Sequence, residues 1–97
     1  MGKVSSKKEI KRVYKKSDDN FFNVNKIIFE NGNMLISVDK KNYIVELKKI
    51  SKKLSNATKI QKEAYRIICS GYGINWPLID EDITIKGILS KAKEIIQ

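Results

Sequence analysis

The sequence predicts an α+β domain: an antiparallel meander of three strands, one or two further strands, short helices and a C-terminal amphipathic helix. Three observations carry this. Runs rich in β-branched and aromatic residues at 21–30, 34–38 and 43–47 are separated by Asn31-Gly32 and Asp39-Lys40-Lys41-Asn42, both turn signals. Thr58 and Gln61 have capping-box spacing. Finally, Ile85, Ile88, Leu89, Ala92, Ile95 and Ile96 fall at i, i+3, i+4, i+7, i+10 and i+11, an apolar helical stripe.

The 97 residues fit one domain, preceded by a basic arm over residues 1–20, with the domain itself over 21–97. Within the arm, Ser6 and Glu9 have capping-box spacing, and Ile10, Val13 and Tyr14 follow at helical spacing, so residues 6–16 predict a short basic helix. Ser17-Asp18-Asp19-Asn20 ends it. The three meander strands follow, the third placing Tyr43, Val45 and Leu47 on one face.

Ile50 and Leu54 are four apart in Lys48–Ser55, which predicts one helical turn covering an end of the sheet. Lys59–Glu63 is predicted helical behind Thr58. Residues 64–70 predict a short helix passing into a strand, and Gly71-Tyr72-Gly73 a turn into Ile74-Asn75-Trp76. Thr84 is a suitable N-cap for a helix over 85–96, and Asp80, Glu81 and Asp82 would then precede its positive end. Gly87 inside this helix costs about 1 kcal/mol relative to Ala, which predicts a close backbone approach there. Together these elements predict one antiparallel sheet of four or five strands.

Composition narrows the function. The net charge is +9, with 20 basic and 11 acidic residues. Residues 1–16 carry Lys3, Lys7, Lys8, Lys11, Arg12, Lys15 and Lys16 against Glu9 alone, so most of the excess lies in the arm. Arg12 and Arg66 are the only arginines, although Arg is favoured for base readout and bidentate phosphate contacts. A solvating lysine surface therefore competes with a dedicated nucleic-acid site. No run approaches the roughly 18 apolar residues that span a bilayer, and the N-terminus lacks the apolar core of a secretory signal. Cys69 is the single cysteine, so no internal disulfide points to an oxidising compartment, and a cytoplasmic location is expected.

Gly71 to Leu89, GYGINWPLIDEDITIKGIL, packs three glycines, the only Trp, the only Pro and three consecutive acids into one segment. This text, with ATKIQKEAYRII (57–68) before it and the strands MLISV and YIVEL, resembles the bacterial family known as domain of unknown function 2442. The resemblance covers about Val24 to Leu89. It implies a small α+β domain without an established enzymatic activity, and an antitoxin-like role, since members are often encoded beside a small toxin. Relatives commonly carry His where this chain has Asn75, and the lysine-rich first twenty residues have no counterpart in the resemblance.

Several residues are candidates for chemistry. Asp80-Glu81-Asp82 has the residue types for Mg²⁺ binding or general-base work, for an acid-capped helix, or for an acidic edge facing a basic partner. Trp76 fits either an exposed hot spot or a core anchor, with Pro77 fixing the strand exit. The partner-binding set is thus Asn75, Trp76, Asp80, Glu81 and Asp82. Gly71 and Gly73 lack the following Lys-Ser/Thr of a phosphate loop and read as turn glycines. Cys69, between Ile68 and Ser70, reads as a buried small hydrophobe.

With no histidine in the chain, Ser/His/Asp and Cys/His catalytic sets are unavailable and one cysteine makes no zinc site. No enzyme activity, cofactor or metal is expected. The expected function is a regulatory or neutralising protein that binds another macromolecule, a small toxin or other protein partner. The alternative is a small nucleic-acid- or nucleoprotein-binding protein, such as an inhibitor encoded by a mobile element. Lys7, Lys8, Lys11, Arg12, Lys15 and Lys16 would then track phosphates.

Overall fold

The computed structural model describes residues 22–96; the predicted helix 6–16, its closing turn and the arm cations lie outside them. The meander forms as predicted. Strand β1 (Val24–Glu30) pairs with β2 (Asn33–Val38), which pairs with β3 (Lys41–Glu46), all antiparallel. Asn31 and Gly32 have φ of 52° and 77°, the two positive values that a two-residue primed turn requires. Asp39 (φ 50°) and Lys40 (φ 70°) make a second such turn, tighter than the four-residue one expected, so β3 starts at Lys41.

Alternation sets the inner face. Met34, Ile36 and Val38 of β2 are buried, opposite Phe29, Ile27 and Val24 of β1. A strict period of two would put Val24 on the same face as Lys26. The register instead slips between these residues, and the extra residue Asn25 turns Val24 inward against Val38. Tyr43, Val45 and Leu47 share the inner face, as predicted, with Val45 and Leu47 buried.

Lys48–Ser55 is two helices, not one turn. α1 (Leu47–Ile50) and α2 (Lys52–Ser55) are separated by Ser51, whose extended backbone (φ −166°) breaks the helix and whose hydroxyl caps α2 at Leu54 N (3.0 Å). α3 (Lys59–Glu63) begins with the predicted capping box: Thr58 Oγ1 accepts from Gln61 N at 3.1 Å, and Gln61 Oε1 accepts from Thr58 N at 2.9 Å.

The single sheet expected from the sequence is instead two. β4 (Arg66–Ile68), β5 (Gly73–Trp76) and β6 (Glu81–Thr84) form a separate three-stranded antiparallel sheet. The two sheets share one core. Met34, Ile36, Val45 and Leu47 meet Ile74 and Trp76 of the small sheet, with Leu54, Ile85 and Ile88 from the helices. A long chain stretch, with Phe22 hydrogen-bonded to Gly71 O (3.2 Å) and Phe29 edge-on to Tyr65 (6.1 Å between centroids), ties β1 to the small sheet at both ends.

The C-terminal helix is shorter than predicted. α4 covers Ile85–Ser90, and Lys93–Ile95 form strand β7, which pairs with β3 so that the large sheet runs β1-β2-β3-β7. Three physical reasons converge. Ile85 and Ile88 already fill the core space above the sheets, and the last turn tightens to i→i−3 bonds at Lys91 and Ala92. Ser90 Oγ donates back to Gly87 O (2.7 Å), a local bond at the helix end. Beyond them, the open edge of β3 offers partners that a free helix end lacks.

Gly87 does sit in a close approach, but to a side chain. A Cβ there would lie 2.9 Å from Thr84 Oγ1, the capping hydroxyl that accepts from Gly87 N at 2.9 Å. Gly71, with φ of 94°, is closed in by backbone: an added Cβ would fall 1.8 Å from Phe22 O.

Candidate binding face

The small sheet presents one face to the core and the other to solvent. Ile74 and Trp76 point inward and are fully buried, so their neighbour Asn75 points out. Cross-strand register then sets Arg66, Asn75 and Asp82 side by side. Arg66 Nη2 donates to Asn75 Oδ1 (3.1 Å), and Asn75 Nδ2 donates to Asp82 Oδ1 (2.5 Å). The amide orientation follows from chemistry: guanidinium only donates and carboxylate only accepts, so the Asn oxygen must face Arg66. The result is a cation, a neutral bridge and an anion in a straight exposed row.

Beside this row lies a shallow cleft of about 230 Å³ lined mainly by Ile68, Cys69, Tyr72, Gly73 and Thr84. Its rim is the β4–β5 loop, where Cys69 (φ 51°), Ser70 (φ 54°) and Gly71 (φ 94°) are consecutive left-handed residues in a 3₁₀ turn. Only the glycine is relaxed in that region; Cys69 and Ser70 occupy it at a cost. This geometry corrects the reading of Cys69. Its thiol is exposed, because the left-handed turn lifts it out of the strand that would have buried it.

The predicted partner-binding set separates. Asn75 and Asp82 belong to the row. Trp76 does not reach the outer face: its ring is fully buried and its Nε1 donates to Lys62 O (3.0 Å) at the end of α3, so it anchors the core. Glu81 turns the other way from Asp82 and accepts from the Ser51 hydroxyl, which makes it an internal brace for the break between α1 and α2. Asp80 sits at the corner of the β5–β6 loop with φ of 52°, and its carbonyl oxygen accepts from Lys53 Nζ at 3.1 Å.

The acidic run therefore does not cap a helix. Glu81 and Asp82 are in a strand, and no acidic residue occupies the first turn of α4. Strand alternation sends the carboxylates apart, and among the described residues no group of three or more His, Cys, Asp or Glu side chains converges as a metal site. No helix among the described residues is long and apolar enough to cross a membrane.

Arg66 and Tyr72 were not anticipated. The signal for Arg66 is positional: once the β4–β5 hairpin is centred on residues 69–72, Arg66 must face Asn75.

The family model described as "Protein of unknown function (DUF2442)" matches residues 24–94. The chain belongs to this family. The match spans both sheets, β7 excepted at its last residue, and thus includes the whole Arg66–Asn75–Asp82 row. No curated protein and no solved structure matches the chain.

Proposed function

We propose that this DUF2442 domain is a non-enzymatic binding module, acting as the neutralising partner of a small toxin, and that it recognises this partner through the outer face of the small sheet. The observation that carries the reading is the exposed Arg66–Asn75–Asp82 row beside the cleft at Ile68, Tyr72 and Gly73. Such a face joins a fixed charge pattern to an apolar hollow, the combination that gives register and selectivity at a protein interface. It is also stiff. The row is held by two hydrogen bonds and is centred on β5, whose inner Ile74 and Trp76 are fully buried, so little ordering cost remains on binding.

Affinity purification of the full chain from its native host, followed by mass spectrometry, tests the proposal. A stoichiometric protein partner should be recovered with the natural chain and lost with Arg66→Glu, which reverses one end of the row. Recovery of no stoichiometric partner, or equal recovery with Arg66→Glu, contradicts it.

The second reading, binding of nucleic acid through Lys7, Lys8, Lys11, Arg12, Lys15 and Lys16, is favoured by one sequence observation: seven cations against one anion in residues 1–16. It predicts binding that weakens steeply with salt and is removed with those residues.

A further inference from the structure

We propose that the cleft at the open edge of β3 binds a phosphate group. The β3–β7 ladder ends at the Ile44–Lys93 pair, so Val45 and Glu46 stand at an unladdered edge. A cleft of about 200 Å³ opens there, floored by Ile44 and Val45. Three lysines from three separate elements line it: Lys49 from α1, Lys91 from the C-cap of α4 and Lys93 from β7. Asn33 adds an amide, and Glu46 is the one acid among the lining residues.

The convergence is a product of the fold. On a continuous helix over 85–96, Lys91 and Lys93 would diverge by about 200°. The return of the chain as β7 brings both to one concavity with Lys49, 42 positions away from Lys91 in sequence. Lys48, Lys52 and Lys53, also on α1 and α2, do not line this cleft. A concave site with apolar walls focuses the field of its charges, whereas the same lysines on a convex surface would be screened.

Glu46 holds only one of these cations, Lys49, and holds it loosely. Its contacts with Lys48 (4.0 Å) and Lys49 (3.9 Å) are at the limit of an ion pair, and all three side chains are substantially exposed. A phosphate, with three acceptor oxygens, can draw the ammonium groups closer than one carboxylate does. A second cleft adjoins the first, sharing Asn33 and Glu46 and bringing in Lys48 and the Asn31-Gly32 turn. The adjoining hollow, which adds Lys48 to the three cations, gives room for a second phosphate beside the first. The assignment stands apart from the protein-binding face, which lies on the other sheet.

The test is an NMR titration of the full chain, run separately with pyrophosphate and with a single-stranded RNA oligonucleotide. Saturable amide shifts confined to Asn33, Val45, Glu46, Lys91 and Lys93 are expected. The variant Lys49→Gln/Lys91→Gln/Lys93→Gln should lose them, while Lys26→Gln/Lys40→Gln/Lys86→Gln, equal in net charge and also solvent-exposed, should keep them. In the RNA arm, the slope of log affinity against log salt should fall by about 2 in the first variant only, the value for three phosphate contacts on a single strand. Shifts with both ligands identify a phosphodiester backbone as the source, and shifts with pyrophosphate alone identify a free phosphate compound. Shifts spread over all lysines, no shifts with either ligand, or equal loss in the two variants overturns the assignment.

Discussion

At the scale of single residues, three glycine positions separate conformation from space. Gly32 has φ of 77° with nothing within 4 Å of an added Cβ, so Gly32→Ala carries only the left-handed penalty, about 1 kcal/mol. Gly71 meets both limits, and Gly71→Ala drives a methyl into the Phe22 carbonyl; the expected loss is above about 3 kcal/mol. Urea unfolding of the two variants should show this difference in midpoint. Gly87→Ala is governed instead by the Thr84 hydroxyl 2.9 Å away. We predict that it destabilises the natural chain yet stabilises the Thr84→Ala variant by up to about 1 kcal/mol, since only helix propensity then remains. A double-mutant cycle checks the sign change; an additive result would contradict it. Lys40, held at φ of 70° in a primed turn, is the opposite case. Lys40→Gly should raise stability by about 0.5 kcal/mol, the relief of strain being partly offset by a freer unfolded chain.

At the scale of elements, legibility followed how local the determining interaction is. The β1–β2 hairpin was readable because Asn31-Gly32 and the alternation of β2 lie in the same short stretch. The same holds for α3, whose capping box is contained in Thr58–Gln61. The bulge at Asn25 was not readable, since its cause is the inward pull on Val24 from Val38 across the hairpin. Nor was β7. Ile85 to Ile96 satisfies a helical period, but the deciding partner is the β3 edge about fifty residues earlier. Glu81 and Asp82 looked like one acidic cluster for the same reason: period two splits them between the Ser51 brace and the Asn75 row, and this follows only from knowing that they are in a strand. The expectation at this scale is a cross-strand Overhauser contact between Tyr43 and Glu94 with strand-like chemical shifts over Lys93–Ile95. Helical shifts there would refute the β7 assignment and the lysine convergence together.

At the scale of the molecule, the two sheets share one core. Ser51, Leu54 and Trp76 are its junctions: Ser51 bonds to Glu81, and Trp76 reaches from β5 to the Lys62 carbonyl. Ser51→Ala removes both the α2 cap and the Glu81 brace, and should cost about 1–2 kcal/mol in the same unfolding experiment. Under the proposed binding role, the outer face of the small sheet is the recognition surface, with its row backed by the buried Ile74 and Trp76. Amide hydrogen exchange, measured on the full chain with and without its captured protein partner, tests that claim most directly. The account predicts new protection across β4, the Cys69–Tyr72 loop, β5 and Asp82. Protection confined to the β1-β2-β3-β7 sheet, with exchange unchanged around Arg66 and Asn75, would contradict it.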